Sequence, residues 1–399
     1  MTKFKSTERM KEIIAEYYLE AKNAEHNKKI LAWVTSGAPV EHLYAMDVIP
    51  VYPENYAAMC GASHTSLDLI NVSEGMGYSP DLCSYAKSDI GADMTQGGPI
   101  FGLPRPDFLV CGTNICRTVM KWYQVIARKY QVPLILIDMP FSHNEIEKEH
   151  IEYVKMQFRD LERFLSNYLK KPFDRDRFQS VVEKSAMASF LWRKILKLGA
   201  HVPSPINSFD TFIHMAPIVT LRGTDRAVEY YSKLLDEVTD LANRNVGSIK
   251  NEKMRLLWDN LPIWDRIKFL SELFGNRDTA LVVATYTNGW AAIDEGVDPS
   301  MMEEELARAY LGPFLNRGFQ YRIGNLCGLV DEFKLNGLVF HSNRSCKSYS
   351  LGQYFIGDEV QKRTGKPYLV IESDMNDPRQ FSEAQIETRV SAFIEKLLS

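Results

Sequence analysis

The stretch "DFLVCGTNICRTVMKWY" (residues 107–123) holds a short apolar run, a turn of Gly, Thr and Asn, and then helical spacing. An apolar run of this length bounded by turn residues reads as a buried strand. Strand, turn and helix in that order read as part of a parallel βαβ unit. "PLILIDMP" (133–140) supplies the next strand. The same signature occurs upstream in "ILAWVTS" (30–36) and "VIPVYP" (48–53), and downstream in "ALVVATYT" (280–287), "GLVFHS" (337–342) and "PYLVIESD" (367–374). Helical patterns fill the intervals, for instance 115–130 and 351–364. Such alternation predicts parallel sheets covered by helices.

The alternation lapses between about 150 and 250. There "IEYVKMQFRDLERFLSNYL" and "RAVEYYSKLLDEVTDLANR" have helical spacing, and "HVPSPINSFD" (201–210) breaks the run. The expected fold is α/β, with two Rossmann- or flavodoxin-like parallel-sheet units joined by a mostly helical middle. The expected boundaries are an N-terminal α/β domain at 1–150, a helical connecting segment at 151–255 and a C-terminal α/β domain at 256–399.

Composition excludes several classes. Of 399 residues, 45% are hydrophobic and 25% charged, and the net charge is −4. That is an ordinary globular balance, with no electrostatic footprint for nucleic acid and no basic face for a membrane. No apolar run approaches the roughly 18 residues that span a bilayer. The first stretch, "MTKFKSTERMKEIIAEYYLEAKNAEHNKK", reads as an amphipathic helix without the apolar centre of a secretory leader, so a cytoplasmic location is expected. Six cysteines in such a chain are not expected to form a disulfide framework. There is no G-x-G-x-x-G after a strand, no phosphate-binding loop, no H-E-x-x-H and no G-x-S-x-G. "HNEIEKEH" (143–150) reads as a solvated helix face.

In open α/β sheets, ligands bind beyond the carboxyl ends of the strands. The informative cysteines are therefore those in strand-to-helix turns. Cys116 follows "DFLVCGTN", and Cys346 follows "GLVFHSN". Cys83 lies in "GYSPDLCSYAKSDIG", where Pro80 and Asp81 mark a helix start and place it in the first turn. Helix N-termini favour thiolate, so these three read either as a converging metal site or as separate packing residues, and the residues alone leave both readings open. A lone intracellular cysteine is more commonly a small buried hydrophobe. That is the expectation for Cys111, inside its strand, and for Cys327 in "IGNLCGLVDEF". Cys60 in "ENYAAMCGAS" is open to either reading.

The loops around these cysteines resemble a known family. "DLCSYAKSDIG", "PDFLVCGTNICRTVMKWYQ" with "VPLILIDMPF", "NRSCKSYSLGQ" and "IESDMNDPRQFSEAQIETRVSAFIE" resemble the iron–sulfur 2-hydroxyacyl-CoA dehydratases and the related ATP-dependent benzoyl-CoA reductases. The resemblance covers nearly the whole chain, in order, and is to the subunit that bears the active-site cluster. It implies a 4Fe–4S cluster held by Cys83, Cys116 and Cys346, with one open iron that takes water or hydroxide. It also implies a homologous second subunit in a heterodimer, and a dimeric iron–sulfur activator that hydrolyses ATP and injects one electron. The electron turns the thioester carbonyl into a ketyl radical that can expel the α-hydroxyl, and it is later returned.

"WVTSGAPVEH" and "YPENYAA" resemble the dehydratase pattern of a serine after the first strand and a glutamate after the second, here Ser36 and Glu54. The resemblance implies that Ser36 binds the iron-bound water or the substrate oxygen. It implies that Glu54 takes the β-proton or helps the hydroxyl leave. The bland alternatives are a helix cap for Ser36 and a solvated loop carboxylate for Glu54. Asn343 and Arg344 flank the third cysteine loop, where donors tune a cluster or simply build a turn. Trp122 and Tyr123 read as core, and "NDPRQFS" (376–382) as a turn and cap. "KSDIG", "RGTDRAVEYY" and "KRTGKPYLVIESD" resemble the reductase subunits as much. The expected activity is 2-hydroxyacyl-CoA dehydration, with benzoyl-CoA reduction second. A double-cubane electron-transfer protein, which six cysteines would allow, ranks third because Cys111 and Cys327 fall inside regular elements.

Overall fold

Eight strands form two four-stranded parallel sheets in the computed structural model, which describes residues 4–290, 298 and 300–398. The first sheet holds β1 (Leu31–Val34), β2 (Ile49–Val51), β3 (Phe108–Gly112) and β4 (Leu134–Ile137) in the order β2-β1-β3-β4. The second holds β5 (Met254–Asp259), β6 (Thr279–Ala284), β7 (Gly337–Asn343) and β8 (Tyr368–Ser373) in the order β6-β5-β7-β8. The two orders are the same topology repeated. In each, the chain crosses from the first strand to one side and returns to pair a later strand on the other. The loops after β1 and β3, and after β5 and β7, therefore diverge and leave a crevice at each sheet's carboxyl edge.

Among the described residues no strand lies between β4 and β5. Five helices fill that interval, of which Lys148–Leu169, Arg175–Leu198 and Asp225–Asn243 are the longest. They share one continuous core with the first sheet, in which Trp33 and Phe108 join Phe158, Trp192 and Tyr231. Burying each such side chain contributes roughly 1.5–3 kcal/mol. The second sheet is packed on both faces, by Phe274, Ile386 and Phe393 on one and Ile323, Leu326 and Ile356 on the other. Burial on both faces is why the strand sequences are nearly continuous apolar runs rather than alternating ones.

One strand escaped the sequence pattern. β5, "MRLLWD", lies between β6 and β7 inside its sheet, yet its second residue is an arginine. Arg255 is buried because its guanidinium donates to the Phe333, His201 and Gly199 carbonyls and pairs with Glu252. The expected strand at 280–287 ends at Ala284, where Thr285–Asn288 turns into a helix. Among the described residues no helix is long and apolar enough to cross a membrane.

Candidate active site

The three cysteines singled out by position each cap a helix. Cys83 is the N-cap of Ser84–Thr95, Cys116 of Arg117–Tyr130 and Cys346 of Lys347–Ser350. The helix after Cys83 thus starts later than Pro80 and Asp81 suggest, and the thiol sits at its cap rather than within its first turn. The Val119 amide donates to Cys116 Sγ at 3.4 Å. Ser84 and Ser345, next to Cys83 and Cys346, clasp each other across the two lobes. The Ser84 amide donates to Ser345 Oγ at 3.1 Å, and the Ser345 hydroxyl donates to Ser84 Oγ at 3.3 Å.

All three thiols line one cavity, together with Ser36 and Glu54. Its wall is drawn from the loops after seven of the eight strands, including Asn114 beyond β3, Leu261 beyond β5 and Met375 beyond β8. The two switch points face each other across it. Asn114 holds two of these loops together, donating to the Gly37 carbonyl at 3.1 Å and the Tyr310 carbonyl at 2.7 Å. A Cβ at Gly37 would stand 2.6 Å from Asn114 Oδ1, so a larger residue here would displace the side chain that ties the two loops.

Glu54 lies in the first turn of the helix Pro53–Ala62 and is 8% exposed, so it is not a solvated loop carboxylate. The Ser36 amide donates to its Oε2 at 3.0 Å, and the Tyr123 hydroxyl donates to the same oxygen at 3.4 Å. Burial lifts its carboxyl to about 7, against the pull of those hydrogen bonds. Ser36 does not cap a helix, because the next one, Val40–Ala45, is preceded by Pro39. Tyr123 is more than the simple core residue its sequence position suggests. It is buried, but its hydroxyl reaches Glu54. It stands two turns beyond Cys116 on the same helix, a spacing that could have drawn attention to it.

The other cysteines stay out of the cavity. Cys111 is buried in β3 and Cys60 in the helix Pro53–Ala62, while Cys327 is half-buried against the second sheet. None of the six is in a disulfide. Asn343 ends β7, fully buried, with neither side-chain amide atom hydrogen-bonded among the described residues. Arg344 turns to solvent, 3.8 Å from Glu372, and is not part of the cavity.

The donor set tests what the cavity can hold. Burial pushes the Cys346 thiol up to about 12, and pushes Cys83 and Cys116 up as well. Three half-buried thiols in one cavity become thiolates only beside a cationic group. Among the described residues, no three His, Cys, Asp or Glu side chains meet closely enough for a single metal ion. Three thiols in the wall of one cavity, with no histidine among its described lining residues, are a donor set that suits an iron–sulfur group.

Fold and site together define a two-sheet α/β protein built around a thiol-lined cavity that fits such a group. The chain belongs to the 2-hydroxyglutaryl-CoA dehydratase, D-component family, whose model matches residues 35–397. It is 35% identical to the (R)-2-hydroxyisocaproyl-CoA dehydratase alpha subunit of Clostridioides difficile over 387 residues, 96% of this chain and 94% of that one. It is 30% identical to the lactoyl-CoA dehydratase subunit alpha of Anaerotignum propionicum, covering 95% of this chain and 93% of that one. It is also 30% identical to a benzoyl-CoA reductase subunit of Thauera aromatica, covering 97% and 93%. The family resemblance carried by the cysteine loops holds.

Proposed function

We propose that this chain is the cluster-bearing subunit of an iron–sulfur (R)-2-hydroxyacyl-CoA dehydratase, a lyase that removes water from a 2-hydroxyacyl-CoA to give a 2-enoyl-CoA. The observation that carries this reading is Glu54, a buried carboxyl poised near neutrality in the same cavity as Ser36, Cys83, Cys116 and Cys346. Dehydration must take a β-proton and release an α-hydroxyl, so it needs a positioned acid–base group. Cys83, Cys116 and Cys346 would hold a 4Fe–4S cluster. When bound, that cluster supplies one open iron position and a path for one electron.

The residues of the chain do the rest. Oε2 of Glu54 is held by Ser36 and Tyr123, which leaves Oε1 to take the β-proton. The electron placed on the thioester carbonyl expels the α-hydroxyl and acidifies the β-position. Glu54 takes the β-proton once the hydroxyl has left as hydroxide and passes it to that hydroxide, and the electron is returned, so the net change is loss of water. The Ser36 hydroxyl is a neutral donor for the oxygen that leaves. Apolar side chains such as Trp122, Phe314 and Met375 keep bulk water from the site. A second cavity of about 660 Å³ meets the first at Ser36, Glu54 and Tyr286. It runs past Ile14, Tyr18 and Met59, with Lys11 and Lys22 in its wall, and suits the arm of a CoA thioester.

A homologous second subunit and a dimeric ATP-hydrolysing iron–sulfur activator complete the system, in keeping with the lack of a phosphate-binding loop motif in this sequence. The test is oxygen-free conversion of a panel of (R)-2-hydroxyacyl-CoA esters, with the partner subunit, activator, ATP and Mg²⁺, alongside benzoyl-CoA. The expected product is the 2-enoyl-CoA. Reduction of benzoyl-CoA to a diene, with no panel member dehydrated, would replace this reading with the reductase.

A further inference from the structure

Arg222 is the one cation among the described residues that line the thiol cavity, and Glu54 is the one carboxylate. An arginine with a free fork in an apolar cavity would anchor a substrate carboxylate bidentately. Here two of the three guanidinium nitrogens, Nε and Nη2, are already engaged. Nε donates to Glu41 Oε1 at 3.2 Å, and Nη2 donates to the Tyr310 hydroxyl at 2.8 Å. Tyr310 in turn donates to Glu41 Oε2 at 2.5 Å, and Ser185 donates to Glu41 Oε1 at 2.8 Å. Glu41 is fully buried behind the cavity wall and does not line it. The guanidinium lies 5.8 Å from the Trp290 ring and 5.7 Å from the Tyr310 ring, which present apolar faces beside it.

We infer that this cavity accepts acyl groups with an uncharged, apolar side chain and rejects those ending in a carboxylate, because Glu41 has already neutralised the cation on its wall. A second carboxylate would have to share Arg222 with Glu41 and leave a net negative charge in a dry site, which is costly. Ile115, Val119, Phe314 and Leu315 offer an apolar chain the contacts that a carboxylate cannot use. The inference deepens the dehydratase reading and rests on its assignment of the cavity to an acyl-CoA.

The test measures equilibrium binding of 4-methylpentanoyl-CoA and glutaryl-CoA to the oxygen-free, cluster-loaded two-subunit complex. Neither probe has a 2-hydroxyl, so the ratio is read without turnover. The wild-type complex should prefer 4-methylpentanoyl-CoA by about tenfold or more, and a smaller ratio overturns the inference. Glu41→Gln leaves Arg222 unneutralised and should narrow the ratio by about tenfold, while Glu41→Gln with Arg222→Met should restore it. An unchanged ratio in a folded Glu41→Gln complex also overturns it. Where Glu41→Gln does not fold, the wild-type ratio decides alone. A ratio that holds while every dehydration assay fails removes the reaction and leaves the selectivity. A ratio that fails while dehydration proceeds removes the selectivity alone.

Discussion

In the proposed dehydration, Glu54 concentrates the chemistry of the site in one carboxyl. Its neighbours Ser36 and Tyr123 donate to it, yet burial outweighs them and holds it near neutrality. Glu54→Gln should therefore lower dehydration by about 10²–10⁴-fold while iron content stays constant. Ser36→Ala should cost about tenfold, since water can replace one hydroxyl in part. The same shift has a stability consequence. A carboxyl raised from 4.5 to about 7 in the folded state contributes its stability fully below pH 4.5 and loses it as the pH rises through about 7. Relative to wild type, Glu54→Gln should gain stability between about pH 5 and pH 8, measured by denaturant unfolding of oxygen-free protein. The cysteines divide by the same logic. Replacing Cys83, Cys116 or Cys346 with Ala should abolish or severely deplete iron in protein purified without oxygen. Cys111→Ala and Cys327→Ala should retain it and cost on the order of 1–2 kcal/mol. Loss of iron in Cys111→Ala as complete as in Cys116→Ala would contradict the ligand assignment.

The helix Ser84–Thr95 shows how an element places the Cys83 thiol at the cavity. Ten consecutive residues, Ser84 to Asp93, are buried. It lies so close to the helix Ser66–Gly75 that a Cβ at Gly91 would stand 2.0 Å from the Leu69 carbonyl oxygen. Gly91→Ala must push the two helices apart and shift the cap that presents Cys83. The expected cost is about 1–3 kcal/mol with a parallel drop in bound iron, read by thermal melting and iron assay. Gly324, inside the helix Phe319–Glu332, is the contrast, since nothing stands within 4 Å of its Cβ position. Gly324→Ala should leave iron unchanged and stabilise by up to about 1 kcal/mol. Most elements were legible because buried parallel strands write themselves as apolar runs between turn residues. β5 was not, because Arg255 interrupts its run and is made tolerable only by carbonyls from Gly199, His201 and Phe333.

Across the whole molecule, the thiols join what the chain separates. Cys83 and Cys116 belong to the lobe of the first sheet and Cys346 to that of the second, with Ser84 and Ser345 clasped between them. A group held by all three would staple the two lobes, and a ligand that binds only the folded form stabilises it. Chelation of the iron should therefore lower the melting temperature and increase proteolysis between the lobes, and anaerobic reconstitution should reverse both. An unchanged melting profile after complete iron loss would argue against a cluster shared by the two lobes.

The α/β class, the paired sheets, the thiols at helix starts and the two polar positions after β1 and β2 were all readable in the chain. Each depends on local pattern: apolar runs, turn residues and the caps that follow strands. The tertiary structure decided the rest. Ser36 turned out to hold Glu54 through its backbone amide, Tyr123 reached the same carboxyl, and Arg344 turned away to solvent. Glu41 and Arg222 stand 181 residues apart, and nothing in either segment marks them as partners. Burial, dielectric and hydrogen-bond partnership are properties of packing over such distances. They decide whether a carboxyl is poised for proton transfer, neutralises an arginine or sits idle in water.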